Sequence, residues 1–256
     1  MVVWLAVVVS LKGKRWLGLA RTVRLKVPPD WGCRFSPDGA GEGVAAGPQA
    51  TMSEMNAHET IVPHFHGITQ FQIFAAGHGK IGRGGDTLQP LTLQYKDHHT
   101  AYGPVVAGPQ GLTFMALRIK TGDSAPVYLD KPGYRDKLRP SKKRNLISPP
   151  VGLSIEPVLR SRQEAAWEPL FAAHDIKDEM AAHMLRLGAG MAVDGPNPKK
   201  SGGYYVFVAN GSLVWAGKDF ARWSMVVVEP NEDAIEIRAG GQGLEALIMQ
   251  FPREEG

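Results

Sequence analysis

The sequence predicts an all-β protein made of two similar, strand-rich halves. Three observations carry that expectation: short apolar runs of strand length, glycine and proline spread along the chain, and a motif that occurs twice. Thirty glycines and nineteen prolines in 256 residues suit many short strands joined by turns better than long helices. The runs TQFQIFAA, LTLQYKD and LTFMALRI fall in the first half, and GYYVFVAN, SMVVVEP, AIEIRA and EALIMQF in the second. AGPQGLTFMALR at 107–118 and AGGQGLEALIMQ at 239–250 share Ala-Gly-x-Gln-Gly-Leu and then enter a hydrophobic stretch. Gly77 of FQIFAAGHGKI pairs in the same way with Gly211 of YVFVANGSLVW. Two landmarks repeated at nearly one separation argue for an internal duplication.

Taken in order, the chain opens with MVVWLAVVVS, apolar but ten residues long and too short to span a bilayer. Its charges, Lys12, Lys14 and Arg15, follow the apolar run, which is the wrong order for a secretory signal. A β-strand or an upstream extension is the remaining reading. Cys33 is the single cysteine, so no intrachain disulfide and no cysteine-rich zinc site can form, and a reducing, cytoplasmic setting is expected. The net charge of +4 is unevenly placed. Residues 1–29 carry six basic side chains and no acidic one, and KPGYRDKLRPSKKR at 131–144 carries seven basic and one acidic. The rest of the chain is therefore acidic, and neither basic stretch has the aromatic interleaving of a nucleic-acid surface. The 131–144 stretch reads as a solvated linker. Domain limits follow: 1–130 for a first barrel, with 1–30 open as an extension; 131–150 for a basic linker; 151–256 for a second barrel. SRQEAAWEPLFAAHDIKDEMAAHML at 161–185 is the one candidate helix, with Asp175, Glu179 and His183 at i, i+4 spacing on a charged face.

The chemistry concentrates in PHFHGITQFQIFAAG at 63–77. Alternate side chains of a strand face one way, so His64 and His66 share a side, as do Gln70 and Gln72. Two imidazoles two residues apart can close on one metal ion, and YKDHHTAYGP at 95–104 offers His98 or His99 as a further ligand.

HFHGITQFQIFAAG resembles the first motif of the cupin superfamily: His-x-His, a short spacer, Glu, six residues, Gly. Gln70 stands where that motif has its glutamate, and Gly77 where it has its glycine. DHHTAYGP resembles the second motif in part, supplying the histidine without the preceding proline-glycine pair. His99 is favoured over His98 because His99-x-x-Tyr102-Gly103-Pro104 leads into the next strand as the family's ligand does. With the duplication, the resemblance implies a bicupin: two antiparallel jelly-roll barrels in tandem with few short helices. It implies one divalent transition metal per chain (Fe, Mn, Ni, Cu or Zn, iron foremost) held by His64, His66, Gln70 and His99, with Gln72 and Tyr102 beside the substrate. A neutral amide at 70 weakens the shell, because it removes the negative charge that grips a hard dication. No histidine follows His183, and the second-half counterparts of the ligands are Pro198, Lys200, Tyr204 and Asn231, so that half lacks the site. Tyr204, Trp215 and Trp223 read as core. The implied activity is that of a metal-dependent enzyme on a small organic molecule, an Fe(II)-type oxygenase foremost. The alternatives are a non-catalytic small-molecule-binding or sensor bicupin and a metal-dependent isomerase or lyase. A small-molecule ligand, no nucleic acid, no membrane, and a monomer or homodimer complete the expectation.

Overall fold

The computed structural model describes residues 5–10, 15–20, 48–120, 125–171 and 177–253. They are mostly β-structure, with one short α-helix, Glu156–Arg160. The chain divides into two compact units. One runs to Val151, and the other combines the N-terminal strands with Gly152 onward.

In the unit ending at Val151, the long strand Gln70–Ile81 lies at the centre of an antiparallel sheet. On one side it pairs with Leu93–Lys96, which in turn pairs with Asn145–Ile147. On the other side it pairs with Val105–Arg118, which pairs with Gln49–Met55. Thr60–Ile61 and Asp86–Leu88 extend these strands, and His64–Phe65 forms a small ladder with Val127–Tyr128. Phe74, Ile81, Leu88, Leu112 and Phe114 fill the interior at one end.

The second unit repeats the plan. Tyr204–Trp215 sits between Met225–Val228 and Glu236–Gln250, and the latter pairs with Ala181–Leu187. Ala166–Pro169 adds to that edge. On the other edge Leu5–Ser10 pairs in parallel with Met225–Val228 and antiparallel with Arg15–Ala20, so this described part of the apolar N-terminal run is a strand. No helix among the described residues is long and apolar enough to cross a membrane.

The repeated sequence landmarks mark equivalent places in the two sheets. Register shifts separate Phe74 from Ala76 and Gly77 from Gly79 in the first, and Val208 from Asn210 and Gly211 from Leu213 in the second. Gly77 and Gly211 have φ of 74° and 67°, a region that glycine enters without a steric penalty. A Cβ on either would strike a carbonyl oxygen, that of Gly111 in one unit and Gly243 in the other. Those partners are the second glycines of the repeated Ala-Gly-x-Gln-Gly-Leu. The motif is shared because two strands cross closely there.

Within 161–185 the described residues, 161–171 and 177–185, form no helix. His183 lies in the strand Ala181–Leu187 opposite Ile248, and the one turn of α-helix among the described residues begins earlier, at Glu156 behind Ile155. Sheet pairing along the whole of Ala181–Leu187 overrides the helical spacing. Asp175 lies outside the described residues. Tyr204 is in the core as expected, Trp215 packs on its edge, and Trp223 meets Phe207 edge-on at 5.3 Å.

Candidate functional site

The polar residues of the first unit gather at one end of its sheet, and strand register explains how. Gln70 pairs with Lys96, and Gln72 with Gln94, across two neighbouring strands. On the other side of the central strand Phe71 pairs with Leu117, which brings Arg118 alongside Gln70. All five polar side chains are buried. The His64–Phe65 strand comes in over this end, where His64 and Tyr102 exchange backbone hydrogen bonds of 3.1 and 3.0 Å.

His64 and His66 come together as their spacing predicts, with ring centroids 5.1 Å apart. His64 Nδ1 donates to the Val62 carbonyl at 2.8 Å, which leaves Nε2 with its lone pair. Burial pushes the His64 imidazole down to about 4, and the Lys96 charge adds to this against the opposing Val62 hydrogen bond. The Tyr102 ring lies 4.4 Å from that of His64 and 6.2 Å from that of His66. Burial also raises the Tyr102 phenol, so it stays protonated, although the side chains of Gln70 and Gln72 beside it act the other way.

Lys96 is the residue that sequence reasoning missed. It is 2% exposed, its Nζ stands 3.2 Å from the centre of the Tyr102 ring, and it donates to Gln72 Oε1 at 2.8 Å and Gln94 Oε1 at 3.3 Å. Burial, and after it the Arg118 charge, pushes the ammonium well below its ordinary value. Two amide oxygens and an aromatic face oppose that push, since each favours a cation.

Gln70 is wholly buried, and its Oε1 accepts from Arg118 Nε at 3.0 Å and Nη2 at 2.9 Å. Gln72 and Tyr102 are also buried at this end, with Gln72 holding Lys96.

His99 is placed by a turn. The strand ends at Lys96, Thr100 N–H donates to the Asp97 carbonyl, and His99 has φ of 52°. Its N–H donates to the His66 carbonyl at 2.7 Å, and its ring packs at 5.6 Å from Phe65 and 5.3 Å from His98. Strand alternation does not operate at 98 and 99. Among the described residues, no three His, Cys, Asp or Glu side chains gather where they could hold a metal ion.

The basic stretch before Asn145 is also more than a solvated tether at its end. Arg144 donates to both Asp97 carboxylate oxygens, at 2.9 and 3.0 Å, and to the Tyr95 hydroxyl at 3.2 Å. Burial pushes the Asp97 carboxyl up, but the Arg144 and Tyr95 hydrogen bonds outweigh it and hold it below the usual carboxylate range.

Gln70 does not fit as a ligand of a resident divalent metal. A dication on Gln70 Oε1 would stand about 5 Å from the guanidinium that already holds that oxygen. At an effective dielectric of about 20, the repulsion is about 7 kcal/mol. A glutamate at 70 would have reversed the sign of one partner, whereas the amide leaves it uncompensated.

The second unit serves as an internal control. The positions paired like Gln70 with Lys96 and Gln72 with Gln94 are Tyr204 with Val228 and Val206 with Val226. Tyr204 is buried, and the three valines fill the same end with hydrocarbon. The fold therefore does not need the polar cluster. The signal was present in the sequence, because LTLQYKD carries Gln94 and Lys96 at the parity where SMVVVEP carries valines.

No family profile matches the sequence, and no curated protein does. Solved structures are similar. A candidate dioxygenase from Nostoc punctiforme superposes with a TM-score of 0.52 at 12% identity, over 80% of this chain and 70% of that one. A cupin 2 conserved barrel domain protein from Leptotrichia buccalis gives 0.45 at 11%, over 80% and 84%. Bacillus subtilis oxalate decarboxylase, a protein with Mn(II) centres, gives 0.47 at 10%, over 83% and 71%. The share of this chain in the first match exceeds either unit alone, so both units take part. The chain thus has the all-β fold of two antiparallel barrels, shared over most of its length with the Nostoc punctiforme protein.

Proposed function

We propose that the protein binds a small organic molecule in its N-terminal barrel, using protein cations where other cupins use a resident divalent metal. The observation that carries this reading is the contrast between the two barrels. One end of the first is filled by Gln70, Gln72, Gln94, Lys96 and Arg118, and the paired positions of the second include Tyr204, Val206, Val226 and Val228. Burying a lysine, an arginine and three amides is costly when valine would serve the fold, so such a cluster is kept for what it binds. The half-buried His66 beside Tyr102 marks the side from which solvent and ligand reach it.

The test is a paired titration of metal-stripped full-length protein. Fe(II), Mn(II), Ni(II) and Zn(II) are expected to show no tight stoichiometric uptake. A thermal-shift screen of small metabolites is expected to give hits that saturate and that weaken at least tenfold in Lys96→Met. Tight uptake of one metal equivalent overturns this reading. It would favour an iron-type oxygenase, for which one observation speaks: the Val62 carbonyl holds His64 in the tautomer that presents Nε2 as a ligand.

A further inference from the structure

We infer that residues 129–143 form a strap on the rim of the candidate site, latched by Lys143 and opening to admit what binds at His64. The inference concerns access to the site and does not depend on the chemistry of the ligand.

Both feet of the strap stand on the segments that carry the histidines. At the first, Tyr128 pairs with His64, the Leu129 N–H donates to the Pro63 carbonyl at 3.0 Å, and the Tyr128 ring lies 5.6 Å from that of His64. At the second, Lys143 Nζ donates to the His99 carbonyl at 2.8 Å. The feet are neighbours, because the His99 N–H donates to the His66 carbonyl at 2.7 Å. The chain thus leaves the rim beside His64 and returns to it beside His99. A loop of about fifteen residues whose ends meet is an Ω-loop, a form that often carries function.

What lies between the feet is built to move as a piece. No side chain from Asp130 to Lys143 is buried. Arg139 donates to the carbonyls of Asp136 and Leu138 at 2.7 and 2.8 Å, and the Leu138 N–H donates to the Arg135 carbonyl, so the strap closes on itself. Lifting such a segment exposes little core, which lets local opening run far ahead of unfolding. The second foot holds both the pivot and the latch. Arg144, next in the chain, is fixed to Asp97 by two guanidinium hydrogen bonds, so the strap pivots there. Lys143 is exposed, and its φ of 58° is a conformation that a lysine holds only against strain. Its ammonium bonds the His99 carbonyl on the rim and the Arg139 carbonyl on the strap, at 2.8 and 3.2 Å. Those exposed bonds are the latch. Closed, the strap keeps Tyr128 against a buried His64; open, it clears the Nε2 that Val62 leaves with its lone pair.

The experiment uses the full chain and diethyl pyrocarbonate, which acylates accessible imidazoles, with the modified histidines identified by peptide mass mapping. Lys143→Ala removes the latch and is expected to speed modification of His64 at least about fivefold. His58 and His78, both exposed, are expected to keep their wild-type rates. Lys143→Arg keeps a donor at that place and is expected to retain the slow rate. Tyr128→Ala, which leaves the latch intact, is expected to speed His64 as well. In the wild type, the Leu129 amide should exchange at least about tenfold faster than the Phe74 amide, which donates to the Thr92 carbonyl in the core. An unchanged His64 rate in both alanine variants overturns the strap, and so does a Leu129 amide as protected as that of Phe74. A Lys143→Ala chain in which the Phe74 amide loses protection along with His64 has loosened throughout, and that result overturns it too.

Discussion

Replacing Arg144 with methionine tests the contact that ties the turn before Tyr102 to the chain entering Asn145–Ile147. Asp97 is 5% exposed and Arg144 12%. The wild-type carboxylate accepts from Tyr95 Oη at 2.6 Å, from the Arg144 backbone N–H at 2.8 Å, and from two guanidinium nitrogens at 2.9 and 3.0 Å. Arg144→Met removes the last two and leaves a buried charge with two neutral donors. Removing one partner of a buried pair costs about 3–5 kcal/mol. The two surviving hydrogen bonds place this case at the low end, at about 3 kcal/mol. Asp97 has its carboxyl held down in the folded protein, so its contribution is present above the unfolded pKa of about 3.9 and is lost as pH falls through the lower folded value. In the variant, burial is less opposed and the folded pKa rises, so protonation relieves the variant first. The gap between wild type and variant therefore closes as pH falls from 7 toward 4. Native-state hydrogen exchange of the amides in Leu93–Lys96 and Asn145–Ile147 reads this unit directly, which matters because two units need not unfold together. A loss below about 1 kcal/mol that does not change with pH would show that the pair is solvated, as its basic stretch alone suggests.

Two other substitutions probe the scaffold. Gly77→Ala and Gly211→Ala are each expected to cost about 3 kcal/mol or more in denaturant titrations, because the positive φ and the opposing carbonyl oxygen act together. Gly82→Ala, with φ of 73° but open space around it, should cost only about 1 kcal/mol, and equal costs at all three sites would refute the close approach. Glu245 is wholly buried and accepts from Ser154, Asn210 and Arg186. Glu245→Ala should cost about 3–5 kcal/mol in the second unit, while Glu245→Gln, which keeps the acceptor, should recover part of it. An unchanged unfolding midpoint in Glu245→Ala would show that the cluster is not coupled to stability.

Much of the architecture was legible in the sequence because backbone geometry writes itself locally. Period-two alternation fixes which side chains share a face, and a glycine forced to positive φ against a neighbouring strand leaves a mark that duplication repeats. That is why Gly77 and Gly211, with the glycines of Ala-Gly-x-Gln-Gly-Leu, located equivalent crossings in both barrels. The short helix that the 161–185 stretch could hold shows the limit of such signals. Its i, i+4 charges are a local pattern, and the ladder between Ala181–Leu187 and Glu236–Gln250 outweighs it.

The sequence by itself determined the all-β fold, its doubling, and the placing of His64 beside His66, since each depends on residues close in the chain or on a repeated motif. Tertiary structure decided what surrounds that pair. Lys96 enters because it pairs with Gln70 across a sheet, and Arg118 because its strand lies on the other side of the same central strand. His99 takes a left-handed turn conformation that strand parity cannot foresee. The Gln70 oxygen goes to Arg118, forty-eight residues away. Strand register brings together residues remote in sequence, and in a buried site such neighbours set charge and hydrogen bonding more strongly than the motif that first draws the eye.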